Sequence, residues 1–251
     1  MITPMLTPLP QSLSVVLVEP QHPGNIGMVC RAMANFGISD LRLVNPCPYL
    51  HPEARKFAVA GNHLLGSARC FPDLPAALAD VHLSVAATRR AGRLRGTLHP
   101  SSHLPKLVGA LPAGARAALV FGREDRGLSG DEIACCGAGV RIASSEEVGS
   151  LNLAQAVMVL LYELHRRPGT VGEVRDLPEE GELQAVYAQM DDVLDRIGFT
   201  NPACPGATLT RLRQLISRAR PDRGELGLLR GMWGQISESI NNWPGKRRGG
   251  R

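Results

Sequence analysis

Short runs of apolar residues recur through the first 143 positions of the chain, and within each run apolar and polar residues do not alternate. Strands with one solvated face alternate, whereas the strands of a parallel sheet are buried on both faces and are continuously apolar. We therefore predict buried parallel strands over residues 14–18, 41–44, 82–87, 117–121 and 140–143.

Between these runs, apolar residues recur every three or four positions, which is typical of amphipathic helices. The clearest pattern covers residues 25–37 and aligns Ile26, Val29, Met33 and Phe36 on one stripe. Asn25 suits the N-cap of this helix and Gly37 suits its C-terminal stop. Further helices are predicted over 52–61, 129–136 and about 150–166. Strands that alternate with helices predict an α/β domain, a parallel sheet with helices on both faces.

The sequence pattern changes at residues 167–181, which combine proline, glycine and mixed charge without hydrophobic periodicity. We interpret this segment as a linker. Amphipathic patterns follow over 182–199, 210–219 and from 223 onward. The sequence therefore predicts a first domain over residues 1–166 and a small α-helical extension over 182–251.

The distribution of charge is more informative than the net charge of +5. Residues 204–251 hold ten Arg and Lys against three Asp and Glu, whereas residues 1–203 hold 18 against 20. This asymmetry indicates a polyanionic partner, most often nucleic acid. The candidate RNA-binding residues are Arg211, Arg213, Arg218, Arg220, Arg223 and Arg230. The alternative is that some of these arginines are solvated or pack their stems on apolar surface.

Several classes of protein are disfavoured. The N-terminal residues lack the basic and apolar regions of a signal peptide, and no apolar run is long enough to span a membrane. The six cysteines include no Cys-x-x-Cys pair, and we expect no metal site. The cysteines do not form a disulfide framework, which favours reduced thiols and a cytoplasmic location.

Polar or glycine-rich segments follow four of the predicted strands, where ligands bind in open α/β sheets. The first contains Gly24, Asn25 and Gly27 but no G-x-G-x-x-G pattern, so a dinucleotide site is disfavoured. The others are ATRRAGRLRG, FGREDRGLS and EEVGSLNLA. Arg31 lies one turn after Gly27, where it could clamp a phosphate at the helix N-terminus or bond a loop carbonyl.

Three segments resemble the sequence motifs of the SPOUT superfamily of RNA 2′-O-ribose methyltransferases. They read VLVEPQHPGNIGMVCRAMANFGISDLRLVNP, LVFGREDRGLSGDEI and VRIASSEEVGSLNLAQAVMVLLYEL. Their order and spacing match the family, and the resemblance covers roughly residues 13–166. The later segment TRLRQLISRARPDRGELGLLRGMWGQI is similar to the helical extension of the TrmJ branch, which methylates nucleoside 32 in the tRNA anticodon loop.

The resemblance implies a C-terminal trefoil knot whose loops bind S-adenosyl-L-methionine. Carried onto this chain, the cofactor-binding residues are Thr88, Arg89, Arg90, Gly122, Ile142, Gly149, Ser150, Leu151, Asn152, Leu153 and Ala154. This chain departs from the family at AATRR, which is more basic than the usual turn, and at VRIAS, which lacks the usual proline. Arg89 and Arg90 could therefore face RNA and not the cofactor.

The resemblance also implies a catalytic set, which comprises Asn25, Arg31, Glu124, Ser150 and Asn152. Family proposals let the arginine activate the ribose hydroxyl. Because a guanidinium resists deprotonation, we favour Arg31 as a clamp that holds a phosphate and stabilises the developing alkoxide. Ser150 and Asn152 would orient the ribose or the loop.

SPOUT relatives form homodimers through helices on the knot side, so we expect a homodimer here. The expected interface is the apolar face of 153–164, formed by Leu153, Val157, Leu160, Leu161 and Leu164. The alternative is that this face belongs to the core of one subunit. For function, the alternatives are a ribose methyltransferase for another RNA site, a knotted RNA-binding protein without catalysis, and a nucleotide enzyme acting on a small molecule.

Overall fold

One sheet of seven parallel strands forms the centre of the computed structural model, which describes residues 12–89, 98–145, 151–166, 176–200 and 205–240. The strands are β1 (Leu13–Val18), β2 (Asp40–Val44), β3 (Arg69–Phe71), β4 (Leu83–Ala87), β5 (Leu98–Pro100), β6 (Ala117–Phe121) and β7 (Ala138–Arg141). Their spatial order is β3-β2-β1-β6-β4-β7-β5. The predicted parallel sheet is confirmed.

Both faces of the sheet are covered, which is why its strands are continuously apolar. In β1, Val15 and Leu17 belong to one buried cluster, whereas Val16 and Val18 belong to a second cluster on the opposite face. Successive side chains of a strand point to opposite faces, so neither set reaches solvent.

Ten α-helices are present in the described residues. In the first domain they are α1 (Pro23–Asn35), α2 (Pro52–Ala58), α3 (Asn62–Ser67), α4 (Leu74–Leu78), α5 (Leu104–Gly109), α6 (Gly130–Ala134) and α7 (Leu153–Arg166). The extension contributes α8 (Glu180–Arg196), α9 (Pro205–Ala219) and α10 (Arg223–Ser239). Short 3-10 turns cover Val59–Gly61 and Ser101–His103.

The two strands that the pattern did not predict, β3 and β5, are the edge strands of the sheet. Each has three residues, and neither has a buried residue. β5 ends in Pro100, a residue that is tolerated at sheet edges because a ladder hydrogen bond is not required there. The strand predicted over 140–143 lies earlier, at Ala138–Arg141. Edge strands and strand ends lack the burial that makes strands recognisable.

The first helix begins earlier than predicted, so the N-cap role of Asn25 was wrong. The N-cap is His22, and Pro23 takes the first helical position, where its missing N–H costs nothing. Asn25 is buried inside the first turn. The C-terminal prediction is confirmed, since Gly37 has φ 70° directly after the helix.

The apolar face of α7 is the core of one subunit, so its predicted role as the dimer interface was wrong. Leu153, Val157, Leu160, Leu161 and Leu164 are all buried in the cluster that covers one face of the sheet. α1 is among the elements that pack on this helix. The residues of α7 that remain exposed on the outside include Met158 and Tyr162.

The extension begins slightly earlier than predicted and is docked on the sheet domain. α8 starts at Glu180 because Glu179 and Glu182 form a capping box, so the last residues of the predicted linker belong to this helix. The backbone N–H of Glu180 donates to the Val81 carbonyl at 2.7 Å. Its buried carboxyl accepts a 2.8 Å hydrogen bond from the hydroxyl of Ser84 on β4.

Candidate active site and RNA-binding surface

Loops at the carboxyl ends of β4, β6 and β7 surround a cavity of about 530 Å³. Its wall combines apolar side chains with charged groups, as ligand sites usually do. The lining residues are Ala87, Thr88, Arg89, Phe121, Gly122, Arg123, Glu124, Asp125, Arg126, Gly127, Leu128, Val140, Ile142, Ser144, Leu151, Leu153 and Ala156. Parallel strands place these sequence-distant loops together because their carboxyl ends share one edge of the sheet.

Most of the described residues that the sequence assigned to a cofactor lie in this wall. They are Thr88, Arg89, Gly122, Ile142, Leu151 and Leu153, and Glu124 lies beside them. Asn152 and Ala154 stand at the start of α7 without lining the cavity. Arg90, Gly149 and Ser150 lie outside the described residues, as does the 146–150 part of the predicted knot loop.

The carboxylate of Glu124 anchors the turn that precedes α1. It accepts hydrogen bonds from the backbone N–H of Gln21 at 2.8 Å and of His22 at 3.2 Å. The side-chain amide of Asn25 donates to it at 2.9 Å. A negative charge is favourable there because the N–H groups of the first helical turn carry partial positive charge. Glu124 therefore holds the N-terminal end of α1, where the sequence had assigned a capping role to Asn25.

Asn25 joins this anchor to the start of α7. While its amide nitrogen bonds Glu124, its carbonyl oxygen accepts from the side-chain amide of Asn152 at 2.9 Å. The carbonyl oxygen of Asn152 in turn accepts from the backbone N–H of Ala154 at 2.9 Å, which caps α7. A continuous chain of hydrogen bonds thus connects three residues of the predicted catalytic set across three separate segments.

The loop after β6 packs so closely on itself that position 122 must be glycine. A Cβ atom built there would lie 2.1 Å from the backbone carbon of Gly127, far inside van der Waals contact. The loop folds back so tightly that the Gly127 N–H donates to the Arg123 carbonyl at 2.9 Å. The family resemblance assigned this glycine to the cofactor site, and the structure shows that backbone of its own loop packs against it.

Arg123 fixes this loop and was missed by the sequence reasoning. Its guanidinium is buried, donates to Glu19 at 2.7 Å and forms a forked pair with Glu132 at 2.9 and 3.0 Å. The hydrogen bonds to Glu19 and Glu132 hold the pKa of Arg123 above its usual range. Nothing in the local pattern of FGREDRG distinguishes this arginine from its more exposed neighbour Arg126, since Glu19, one of its two partners, lies in a distant segment of the chain.

Arg31 is exposed on α1, and its side chain makes no hydrogen bond or ion pair within the described residues. The alternative that it bonds a loop carbonyl is thus not observed in the described part of the chain. The backbone of α1 at Arg31 packs against Gly61, where a Cβ atom would lie 2.9 Å from the backbone nitrogen of Arg31. The guanidinium remains available to an anionic ligand.

The six candidate arginines of the extension separate into two groups. Arg213 pairs with Asp191 and stacks on the ring of Tyr187, and Arg223 pairs with Asp176 and Glu182. Arg220 is half-buried with partners of its own. Arg211, Arg218 and Arg230 are exposed, and in the described residues they have no ion pair. The first group stabilises the extension, and the second group is free to contact phosphates.

Within the described ranges, no three His, Cys, Asp or Glu side chains are grouped so as to hold a metal ion. None of the described helices is long and apolar enough to cross a membrane.

Comparison with known proteins assigns this arrangement to a family. Residues 12–162 match the family model of the SpoU rRNA methylase family, which spans the sheet and the cavity. The chain belongs to the SpoU methylase family. Residues 181–244 match the model of the TrmJ tRNA methyltransferase C-terminal domain, which coincides with α8 to α10. The resemblance inferred from three short motifs is therefore confirmed over most of the chain.

Relatives and solved structures agree with this assignment. The chain is 35% identical over 243 residues to a tRNA (cytidine/uridine-2′-O-)-methyltransferase TrmJ of Cronobacter sakazakii, covering 93% of this chain and 99% of that protein. The corresponding protein of Sodalis glossinidius is 37% identical over 236 residues, 91% of this chain and 92% of its own. The crystal structure of TrmJ from Z. mobilis superposes with a TM-score of 0.80 at 29% identity, covering 89% and 98%.

Proposed function

We propose that this protein transfers a methyl group from S-adenosyl-L-methionine to a ribose 2′-hydroxyl of tRNA, at cytidine or uridine 32 of the anticodon loop. The observation that carries the proposal is the cavity at the carboxyl ends of β4, β6 and β7, connected through Glu124, Asn25 and Asn152 to the start of α7. The TrmJ relatives, named for cytidine and uridine 2′-O-methylation of tRNA, support the choice of substrate.

The cavity fits the proposed cofactor in size and chemistry. Its volume of about 530 Å³ lies in the range of sites for ligands of this size. Leu151, Leu153 and Ile142 offer apolar surface, and Thr88 and Glu124 offer polar groups at its rim. These residues would hold S-adenosyl-L-methionine, which when bound supplies an electrophilic methyl group on a sulfonium centre.

The protein's own residues would position the ribose and handle its charge. A 2′-hydroxyl must lose its proton as its oxygen forms the new bond to carbon, and no histidine lines the described part of the cavity. We assign Arg31 the role of holding the neighbouring phosphate and stabilising the negative charge that develops on the oxygen. Ser150 and Asn152 would orient the ribose, and the bonded Asn25 would fix Asn152.

We further propose a division of labour along the chain. Residues 1–166 would carry catalysis, residues 167–179 would connect, and the extension from residue 180 to 251 would bind tRNA through Arg211, Arg218 and Arg230. The enzyme would act as a homodimer. Because tRNA is its substrate, the proposal places it in the cytoplasm.

The test is transfer of tritium from methyl-labelled S-adenosyl-L-methionine to transcribed tRNA by the full-length protein. A matched tRNA carries a single 2′-deoxyribose at position 32. We expect label in the first RNA and none in the second. Equal labelling of both would show that another ribose is the target. Binding of tRNA without any labelling would support the non-catalytic alternative.

A further inference from the structure

The most informative feature outside the described site is the close packing of α1 on α2, at Gly27, and on the 3-10 turn that follows α2, at Gly61. A Cβ on Gly27 would lie 2.2 Å from the Ala54 carbonyl oxygen, and one on Gly61 would lie 2.5 Å from the Cys30 carbonyl. The backbones of the two helices therefore touch. The outer surface of α2 becomes continuous with the helix that carries Asn25 and Arg31.

The surface formed by α1 and α2 carries cationic side chains that are not ion-paired within the described residues. Elsewhere in the sheet domain, arginines such as Arg42 and Arg116 are ion-paired. Arg31, Arg55 and Lys56 are exposed, and within the described ranges none of them has an ion pair. Glu53 is the acid of this short helix, and its carboxylate lies beside the turn at Gly24. The surface is therefore net positive.

An exposed aromatic ring lies where this surface meets the active-site turn. Phe57 is 38% exposed, and the Lys56 ammonium lies 5.9 Å from its ring centroid. A Cβ on Gly24 would lie 3.2 Å from the Phe57 ring. Gly24 is adjacent to Asn25, which bonds the cavity residue Glu124. The ring is thus one residue removed from the hydrogen-bonded chain of the candidate site.

Positive groups beside an exposed ring match the chemistry of an unpaired RNA strand. Lys and Arg neutralise phosphates, and the face of an aromatic ring stacks on a base regardless of its sequence. A duplex offers no free base face, whereas a loop does. A protein partner would not require both features at the entrance to a nucleotide-modifying site.

We propose that α2 is a second RNA-contacting surface, at which Arg55 and Lys56 bind phosphates and Phe57 stacks on a loop base next to the target nucleotide. This inference rests on the proposed function and adds to it. In this arrangement the extension binds the body of the tRNA, and α2 holds the loop nucleotides at the cavity.

The test compares single variants of the full-length protein in tRNA binding at several salt concentrations. Arg55→Ala and Lys56→Ala should each reduce the log–log salt slope by about 0.7 to 0.9, the contribution of one phosphate contact. The matched control is Lys106→Ala on α5, which removes another exposed lysine that is unpaired among the described residues. It should leave the slope unchanged. An unchanged slope in Arg55→Ala and Lys56→Ala, or an equal change in Lys106→Ala, would overturn the proposal.

Stacking is tested separately at Phe57. Phe57→Ala should weaken tRNA binding roughly tenfold, and Phe57→Tyr, which keeps the ring, should restore it. Affinity for S-adenosyl-L-methionine and the melting temperature should not change in Phe57→Tyr. If Phe57→Ala binds tRNA like the wild type, the stacking role is wrong. If wild-type protein labels no tRNA at all, the proposed function fails, which is a different outcome from wild-type labelling with unaffected α2 variants.

Discussion

At the scale of single residues, Asn25 has the most demanding position in the site. It is buried and makes hydrogen bonds to both Glu124 and Asn152. Asn25→Asp places a second carboxylate against Glu124 and removes the donor between them. We expect a loss of about 1 to 3 kcal/mol in the free energy of unfolding, measured by urea denaturation at neutral pH. Recovery of stability at acid pH, where one carboxyl is protonated, would support this cause, and wild-type stability at neutral pH would contradict it.

Replacement of Arg31 should affect activity and not stability, because loss of its side chain opens no cavity and breaks no described contact. We expect Arg31→Ala to abolish methyl transfer while the melting temperature and the affinity for S-adenosyl-L-methionine stay near wild type. Turnover within about tenfold of wild type, roughly 1.4 kcal/mol of barrier, would contradict a catalytic role. Arg31→Lys keeps the charge but not the fork, so partial activity there would favour the phosphate clamp over a base.

At the scale of elements, the contact of α8 with the sheet domain includes one buried acid. Burial raises the pKa of Glu180 to about 7, and Ser84 is its hydrogen-bond donor. A carboxyl whose folded pKa lies above its unfolded value stabilises the fold below the unfolded pKa. That contribution is lost as pH rises through the folded pKa.

We therefore expect the protein to lose stability between about pH 5 and pH 8, by on the order of 3 kcal/mol for a shift of this size. Glu180→Gln removes the charge and keeps the shape. It should unfold at a higher urea concentration than wild type at pH 8.5 and at a similar concentration at pH 5. A parallel pH profile for both proteins would show that Glu180 is not the cause.

The arginines of α9 and α10 should separate into the two groups that the structure shows. Combined replacement of Arg211, Arg218 and Arg230 by Ala should lower the salt slope of tRNA binding by about 2, with little effect on folding. Arg213→Ala should instead reduce stability, because it leaves the half-buried carboxylate of Asp191 without its partner. An unchanged slope in the triple variant would show that α9 and α10 do not contact the RNA backbone.

At the scale of the whole molecule, the predicted dimer needs a surface other than the buried face of α7. Met158 and Tyr162 lie one turn apart on that helix and are 37% and 52% exposed. We expect light scattering at micromolar concentration to give the mass of two chains. Tyr162→Glu should shift this mass toward one chain without unfolding the protein. A monomeric wild type would contradict the prediction outright.

The local pattern of the chain determined the sheet and the main helices, and the family motifs indicated residues near the cavity. Strands such as β1 and β6 are buried on both faces, so their sequences are apolar regardless of what surrounds them. The stripe of α1 and the stop at Gly37 are likewise local, since they follow from helix period and from backbone sterics. The family motifs indicated that Glu124, Asn25 and Asn152 belong to the same site.

Tertiary structure decided what those residues do, because their partners lie about a hundred positions away. The carboxylate of Glu124 accepts a hydrogen bond from the N–H of His22, just before α1, and the guanidinium of Arg123 donates to Glu19. The periodicity of apolar residues along the chain does not indicate which distant side chains will pair. The sequence also left open whether the apolar face of α7 is core or interface, and in the structure this face is buried in the core. A sequence specifies which side chains must leave water, but only the packed fold specifies which surface receives them.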